Sequence, residues 1–385
     1  MDAPHRDRLA ELQLRLKDCG IEGALFTDPD SLYWLSGYWG YASLVSCGRP
    51  NFLWVPAADE PAIVTPAMEL EMCRSMTSVA TIEGWVDGVD GEWMNPLSRI
   101  LKAHPLRRIG IEAARIPNPV RDFLHRAHPE LELADVGPIA GAMRVIKTPA
   151  EITIMRQAGQ VALAMVEAAR GLIRVGVPEY QLSLAALAAG TERAAKFLDE
   201  EASDPFASPM IHNLQIMQSG HHTCMVHRRP TVRRILYGDP IYLCFCGITT
   251  FKGYWLGFDR EYFLGTVSSE QARLYEVTIQ AQAAALNAIR PGAVAEDVHF
   301  AANEVYLKAG FPATYRTGRG TGASILEAPE LKAGDKTKLQ PGMTFAVDGG
   351  LTVRGEFGAR VGDSIVVTEG GFEYLTPYPK GLTVI

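Results

Sequence analysis

The sequence lacks the features that mark secreted, membrane-spanning or nucleic-acid-binding proteins. Its six cysteines include no CxxC pair, and in a chain of 385 residues this favours reduced thiols over a disulfide framework. No window approaches the roughly 18 consecutive apolar residues of a membrane span, and the first 20 residues lack the apolar core of a secretory signal. A net charge of -7 gives no electrostatic reason to bind nucleic acid or an anionic membrane. We therefore expect a cytoplasmic protein that binds neither.

Histidine is absent from the last part of the chain. None of the nine histidines follows His299. A dinuclear centre of hard metal ions needs several oxygen ligands, usually joined by an imidazole. The C-terminal residues alone therefore supply no imidazole for such a centre.

The length and composition are those of a two-domain globular protein. The chain is 47% apolar and 21% charged, which is ordinary for a globular protein, and its length is large for one hydrophobic core. In residues 1–142, short apolar segments such as GALFTD and PAIVTP alternate with helical patterns, which predicts an α/β domain. A second domain then begins with RVIKTPAEITIMRQAG, where Thr148, Pro149 and Glu151 match a capped helix start.

Residues 143–385 alternate pairs of helical segments with runs that read as hairpin strands. A second helix is predicted from Glu179, a third from a cap at Ser268 or Ser269, and a fourth over AVAEDVHFAANEVYLKAGF. Strand-like runs include DPIYLCFCGITTF and MTFAVDGGLTV. This pattern indicates an α+β layer and not a parallel βαβ series.

The order of several sequence blocks resembles the creatinase / aminopeptidase P / prolidase superfamily. The blocks are RVIKTPAEITIMRQAG, YGDPIYL, GYWLGFDRE, LQPGMTFAVDGG and GARVGDSIVVTEGG. The resemblance implies an α+β protein with a C-terminal pita-bread catalytic domain at 143–385 and an α/β creatinase/prolidase-type N-terminal domain at 1–142. It also implies a homodimer with sites near the subunit interface.

The same resemblance assigns five positions to the metal ligands of the peptidases. Those positions hold Cys244, Gly257, Arg319, Asp348 and Gly362. A guanidinium is a permanent cation that repels a divalent metal, and glycine has no ligand atom. We therefore expect no metal and no cofactor. Cys244 and Cys246 share a strand face and form half of a possible zinc site, although two small buried thiols are the simpler interpretation.

In its remaining polar residues the chain is similar to the metal-free creatinase branch. The segment SGHHTCMVH places His227 on the catalytic histidine, and two further blocks place Asp259 and Asp348 on substrate-binding carboxylates. Arg49 falls near an arginine that holds the substrate carboxylate from the neighbouring subunit. The full set of residues expected to bind substrate is Arg49, Arg319, Tyr254, Arg260 and His222.

This set predicts hydrolysis of a C–N bond in a small guanidino, amidino or amide acid. A histidine that titrates near neutrality takes a proton from water and passes it to the leaving nitrogen. Two carboxylates hold a cationic group and orient the water, and an arginine holds a carboxylate. The substrate is therefore expected to be a small molecule that carries a carboxylate.

Other interpretations stay open at this point. The chain is alternatively an Xaa-Pro-type metallopeptidase with altered ligands, a pita-bread protein that binds without catalysis, or a lyase that uses the same base for elimination. Asp259 and Arg260 also fit a plain ion pair. Cys224 near His227 suggests a Cys–His pair, but the sequence indicates no third group to orient it.

Overall fold

The computed structural model describes residues 3–40, 49–103, 105–201, 205–211, 216–246 and 249–385. The chain divides into two compact units, Met1–Met143 and Arg144–Ile385, and the sequence pattern had predicted a boundary at 142/143. None of the helices within these ranges has the length and apolar character needed to cross a membrane.

The first unit is built on a mixed six-stranded sheet. Its strands are β1 (Gly23–Phe26), β2 (Phe52–Pro56), β3 (Ala62–Pro66), β4 (Thr81–Trp85), β5 (Arg108–Ile111) and β6 (Glu132–Asp135). They lie in the order β4-β3-β2-β1-β5-β6; β1, β2 and β3 pair antiparallel and the other pairs are parallel. Its helices are α1 (Ala3–Asp18), α2 (Pro29–Ser36), α3 (Leu70–Met76), α4 (Met94–Lys102), α5 (Asn118–Ala127) and α6 (Gly137–Arg144), with a 3₁₀ helix at Ala67–Glu69. Strands alternate with helices, as the sequence predicted.

The second unit carries two helix pairs and an antiparallel sheet. The helices are α7 (Pro149–Arg170), α8 (Glu179–Glu201), α9 (Ser269–Ala288) and α10 (Ala295–Lys308), with a 3₁₀ helix at Gly220–Cys224. The strands are β7 (Ile216–Ser219), β8 (Pro240–Cys244), β9 (Thr250–Phe251), β10 (Tyr254–Trp255), β11 (Asp259–Phe263), β12 (Gly318–Gly320), β13 (Glu327–Leu331), β14 (Thr344–Val353), β15 (Phe357–Thr368) and β16 (Gly371–Tyr374). The main sheet has the order β13-β12-β14-β15-β11-β8-β7, with β16 added beside β15. The α+β prediction is confirmed.

Helix α7 begins at the capping box that the sequence predicted. The Thr148 side chain accepts a hydrogen bond from the Glu151 amide, and the Glu151 carboxylate accepts one from the Thr148 amide. These bonds satisfy amide groups that lack a partner inside the helix. The helix ends at Arg170, one turn before the predicted end near Arg174.

The two large apolar cores of the second unit lie mainly on one face of the large sheet, and a small cluster of Ile216, Tyr242 and Cys244 lies on the other. Leu243 and Phe245 pack with α7 and α8, and Phe345, Val347 and Ile365 pack with α9 and α10. Because side chains alternate along a strand, the intervening residues point to the opposite face. We call this opposite face the site face.

Candidate active site

Four residues form one row across the site face. Asp259 on β11 pairs in register with Cys244 on β8 and with Gly362 on β15. Gly362 in turn pairs with Asp348 on β14. Residues in register on neighbouring strands point to the same side of the sheet. The topology therefore brings together two of the predicted catalytic residues, Asp259 and Asp348.

Gly362 provides the space in which the two carboxylates converge. A Cβ atom at this position would lie 2.7 Å from Asp259 Oδ2 and 2.9 Å from Asp348 Oδ1, which is shorter than a normal contact. A glutamate at 362 would have to displace both aspartates. Glycine at 362 therefore allows the two carboxylates to come together.

Arg319 supplies a cation beside this pair. Its Nη1 donates to Asp348 Oδ2 at 2.8 Å, and its Nε donates to the carbonyl of Ile325 at 3.2 Å. The side chain is only 9% exposed. Burial acts to lower the pKa of Arg319, but the negative charge of Asp348 opposes this, and the pKa is raised. The guanidinium therefore stays protonated.

Cys246 lies next to both charged groups. Its Sγ is 3.3 Å from Asp259 Oδ1, and it is near enough to the Arg319 guanidinium to interact with it electrostatically. Cys244, two residues earlier, is buried, and burial raises the pKa of its thiol well above the usual value. Cys246 is only partly buried, so its thiol is more accessible to solvent than the thiol of Cys244.

The Asp259 carboxyl group titrates nearer neutrality than an ordinary aspartate. Burial, followed by repulsion from Asp348, raises its pKa to about 6. Hydrogen bonds from the two thiols and the charge of Arg319 act in the opposite direction. Asp348 Oδ1 is buried and has no hydrogen-bond partner within the described residues. One carboxyl is thus suited to exchange a proton, and the other offers a free acceptor atom.

A dinuclear metal centre does not fit these residues. Two of its five expected positions are glycines. A Cβ atom at Gly257 would lie 2.5 Å from the Ala346 Cβ and 3.2 Å from Arg319 Nη2, so a ligand side chain has no room there. The position expected to hold a histidine carries a guanidinium that is already bonded to Asp348. The Cys244, Cys246 and Asp259 ligand atoms do lie within 4.8 Å of one another, which is at most a set for one thiophilic ion.

His227 does not lie on any of the strands that carry this row. It is exposed in the turn that follows the 3₁₀ helix Gly220–Cys224. The turn is fastened to the site face because Gln218 Nε2 donates to the carbonyls of Met225 and Arg228. Across the described ranges, no hydrogen bond or ion pair joins the His227 ring to Asp259 or Asp348. The expectation that these three groups act together is not supported by any such contact.

His222 has an orienting partner, Glu179. Its Nδ1 is 3.0 Å from Glu179 Oε1 at the start of α8, and Ser219 and Thr231 also donate to this carboxylate. Burial acts to raise the pKa of Glu179, but these hydrogen bonds outweigh it and lower the pKa. Burial lowers the pKa of His222, and the nearby Glu179 charge opposes this. The carboxylate fixes the ring orientation of His222.

Two residues expected to bind substrate serve the core instead. Arg260 is 1% exposed, and its guanidinium is bonded to Asp363 and to backbone carbonyls, including those of Gly362 and Tyr378. Arg260 follows Asp259 directly on β11. Its side chain therefore points to the opposite face of the sheet, which the helices cover. The Tyr254 hydroxyl donates to Glu151 Oε1 at 2.7 Å within the α7–α8 core. These contacts contradict the substrate-binding role predicted for both.

Arg49 belongs to the first unit. It forms an ion pair with Asp87 at 2.5 Å, with both side chains about half exposed. Its predicted reach into a neighbouring subunit stays a prediction.

Two protein-family models match this chain, one in each of its two parts. The Metallopeptidase family M24 model matches residues 153–369, which is more than half of the chain. The chain belongs to metallopeptidase family M24. The Creatinase/Prolidase N-terminal domain model matches residues 8–146. The predicted superfamily and its two-domain architecture are confirmed.

Known relatives of this M24 chain span its whole length. Agropine synthesis cyclase of Rhizobium rhizogenes is 30% identical and covers 100% of this chain and 98% of that protein. Probable dipeptidase PepE of Mycobacterium bovis is 30% identical, covering 98% and 96%. The crystal structure of dipeptidase PepE from Mycobacterium ulcerans has a TM-score of 0.82 at 26% identity, covering 100% and 98%. An enzyme of a hydrolase family is therefore supported, and its substrate is not decided.

Two parts of this site were not recognised in the sequence. Cys246 was interpreted as one of two small buried thiols or as half of a zinc site with Cys244, and its contact with Asp259 was not predicted. Glu179 was noted only as a helix start. Its contact with His222 crosses 43 residues of sequence, and local patterning carries no signal for it.

Proposed function

We propose that this chain is a metal-independent member of family M24 that cleaves a C–N bond in a small carboxylate-bearing amide, guanidino or amidino acid. The ion pair of Arg319 with Asp348 at 2.8 Å carries the proposal. The pair puts a fixed cation and its counter-charge where a dinuclear centre would need ligands for divalent metal. A protein cation that supplies positive charge makes a metal cation beside it electrostatically unfavourable.

The two aspartates divide the work of acid and base. Asp259 accepts and returns a proton, because burial and the neighbouring carboxylate raise its pKa to about 6. Asp348 is oriented by Arg319, and its free Oδ1 accepts a hydrogen bond from an N–H of the substrate. Two carboxyl groups in unequal surroundings are a common arrangement for this chemistry.

The proposal also assigns roles to His227, His222 and Arg49. His227 exchanges protons with solvent from a turn that Gln218 fastens to the site face. His222, oriented by Glu179, is the other histidine able to do so. Arg49 holds a substrate carboxylate if the protein is a homodimer of the proposed kind. We also propose a cytoplasmic location.

Ring closure is a second candidate function. The relative from Rhizobium rhizogenes is named for a cyclisation, and the similarity covers the whole of this chain. In ring closure an internal hydroxyl of the substrate replaces water as the attacking group, and the same proton transfers serve both reactions. The two outcomes are separable, since only hydrolysis adds oxygen from heavy-oxygen water to the product.

The test combines metal analysis with turnover. Purified full-length protein is assayed against small guanidino, amidino and amide acids, before and after chelation, and its metal content is measured by elemental analysis. We expect turnover without bound metal, a loss of about 10²-fold in Asp348→Asn, and no change in the exposed control Asp297→Asn. Stoichiometric zinc or manganese whose removal abolishes turnover contradicts the proposal.

A further inference from the structure

Cys246 has the surroundings of a reactive thiol. Its sulfur donates to the Asp259 carboxylate at 3.3 Å and lies near the positively charged Arg319 guanidinium. A cysteine reacts as its thiolate, and nearby cations favour that form. A proton on this sulfur therefore has an acceptor within 3.3 Å, and the charge left behind has a partner.

The other cysteines of the described chain lie in different settings. Cys73 is buried in the first unit, where burial raises the pKa of its thiol to about 12. Cys244 lies in the same row as Asp259 on the site face, but it is only 4% exposed. Cys19 and Cys224 have some exposure, and neither contacts Asp259 or Arg319. Cys246 alone among these combines access with both charged partners.

The groups around this sulfur can also hold a substrate. A Cβ atom at Gly257 would lie 3.2 Å from Arg319 Nη2 and 3.3 Å from Cys246 Sγ, so the guanidinium and the thiol both lie close to this glycine. On the other side of Asp259, the buried Asp348 Oδ1 has no partner among the described residues. A buried acceptor of this kind is costly unless a ligand donates to it.

We propose that Cys246 is a nucleophile that forms a thioester with a small carboxylate-bearing amide, with Asp259 as its base and Arg319 as the group that holds the thiolate. This inference rests on the proposed function and narrows its substrate class to amides.

The reaction balances with the groups present. The Cys246 proton passes to Asp259 Oδ1 while the sulfur attacks the amide carbonyl carbon. The C–N bond breaks, and the leaving nitrogen takes the proton from Asp259. Water, or a hydroxyl of the same substrate, then attacks the thioester carbon and gives its proton to Asp259. The C–S bond breaks, and the released thiolate recovers that proton. One intermediate thus leads to hydrolysis or to ring closure.

Alkylation tests the thiol without knowledge of the substrate. Full-length protein is treated with iodoacetamide or iodoacetate across a range of pH, and labelling of each cysteine is followed by peptide mass spectrometry. We expect Cys246 to react several-fold faster than Cys19 and Cys224 at neutral pH, with iodoacetate favoured by the guanidinium. Asp259→Asn should slow labelling of Cys246, and Arg319→Gln should remove the preference for iodoacetate. Labelling of Cys246 no faster than that of Cys19 overturns the proposal.

Turnover measurements distinguish this inference from the proposed function on which it rests. With an amide acid that the wild-type protein cleaves, Cys246→Ala should abolish turnover, and Cys224→Ala should not alter it. Acid quenching of the wild-type reaction should leave an acyl group on Cys246. Full activity of Cys246→Ala would contradict the role of Cys246 as nucleophile. It would not contradict the proposed metal-independent cleavage. One zinc ion per chain, released when Cys244 and Cys246 are alkylated, overturns both.

Discussion

At the scale of single residues, the site depends on a glycine as much as on its charged groups. Gly362 leaves open the volume in which Asp259 and Asp348 meet. At a second glycine of the site, Gly257, the nearest groups include Arg319 and Cys246. Changes of one methyl group at these glycines are therefore expected to alter chemistry and stability together.

Gly362→Ala should destabilise the protein by about 1–3 kcal/mol, because the added methyl overpacks the carboxylate pair. Urea unfolding of the variant measures this change. The matched control is Gly350→Ala on β14, where the nearest atom to an added Cβ is Arg360 Cγ at an ordinary 3.6 Å. Equal effects of the two substitutions would show that Gly362 has no special steric role.

The burial of Glu261 predicts how the stability of the protein depends on pH. It is 1% exposed on β11, and burial raises its pKa to about 8, with Arg360 opposing the shift. Between the ordinary glutamate pKa and about 8, the folded state holds a proton that the unfolded state has lost. The free energy of unfolding should therefore fall as pH rises through this window.

Glu261→Gln should flatten that pH dependence, since the amide cannot ionise. The measurement is urea unfolding at several pH values between about 5 and 8. The exposed control Glu369→Gln should keep the wild-type slope. An unchanged slope in Glu261→Gln would mean that other groups cause the pH dependence.

At the scale of elements, the loop between β12 and β13 holds Arg319 in place. Ile325 in this loop accepts from Arg319 Nε. The loop ends at Glu327, whose carboxylate forms an ion pair with Lys147 at 2.6 Å, with the two side chains 7% and 3% exposed. The connection before α7 thereby positions the catalytic cation through a buried ion pair.

Lys147→Met should cost about 3–5 kcal/mol, because it leaves Glu327 buried without its partner. Lys308→Met is the matched control: Lys308 also forms a 2.6 Å pair, with Glu304, but both side chains are mostly exposed, so less than about 1 kcal/mol is expected. Thermal and urea unfolding measure both. Similar losses in the two variants would contradict the structural role of the buried pair.

At the scale of the whole molecule, the fold belongs to a metallopeptidase family while the residues of its centre do not fit two metal ions. A metal that binds only the native state raises the melting temperature with its concentration. We expect manganese and zinc to leave the melting temperature of this protein unchanged, as measured by thermal denaturation with and without chelator. A rise that saturates with added manganese would show a metal site that the wild-type residues are not expected to form.

Arg319→His provides the control for that experiment. It removes the fixed cation and adds an imidazole ligand beside Asp348, so a divalent ion should bind more tightly to the variant than to the wild type. The melting temperature of the variant should then respond to zinc. No response in either protein would indicate that the glycines at 257 and 362 alone prevent binding.

The amino-acid sequence by itself determined the family, the α+β class and the start of α7, because each depends on local patterns and on the order of blocks along the chain. It also indicated that four of the five positions of the peptidase ligands hold residues that cannot serve as ligands or serve poorly. Residue types at short spacing carry this information directly.

Only the tertiary structure decided which residues share the site. Asp259 and Gly362 are paired in register although 103 positions separate them in the sequence, and a shift of one residue reverses the face, as it does for Arg260. In the folded protein Arg260 and Tyr254 therefore lie in the core, and Cys246 lies beside the aspartate pair. Strand register is set by long-range pairing, and a single sequence does not contain that pairing in its local pattern.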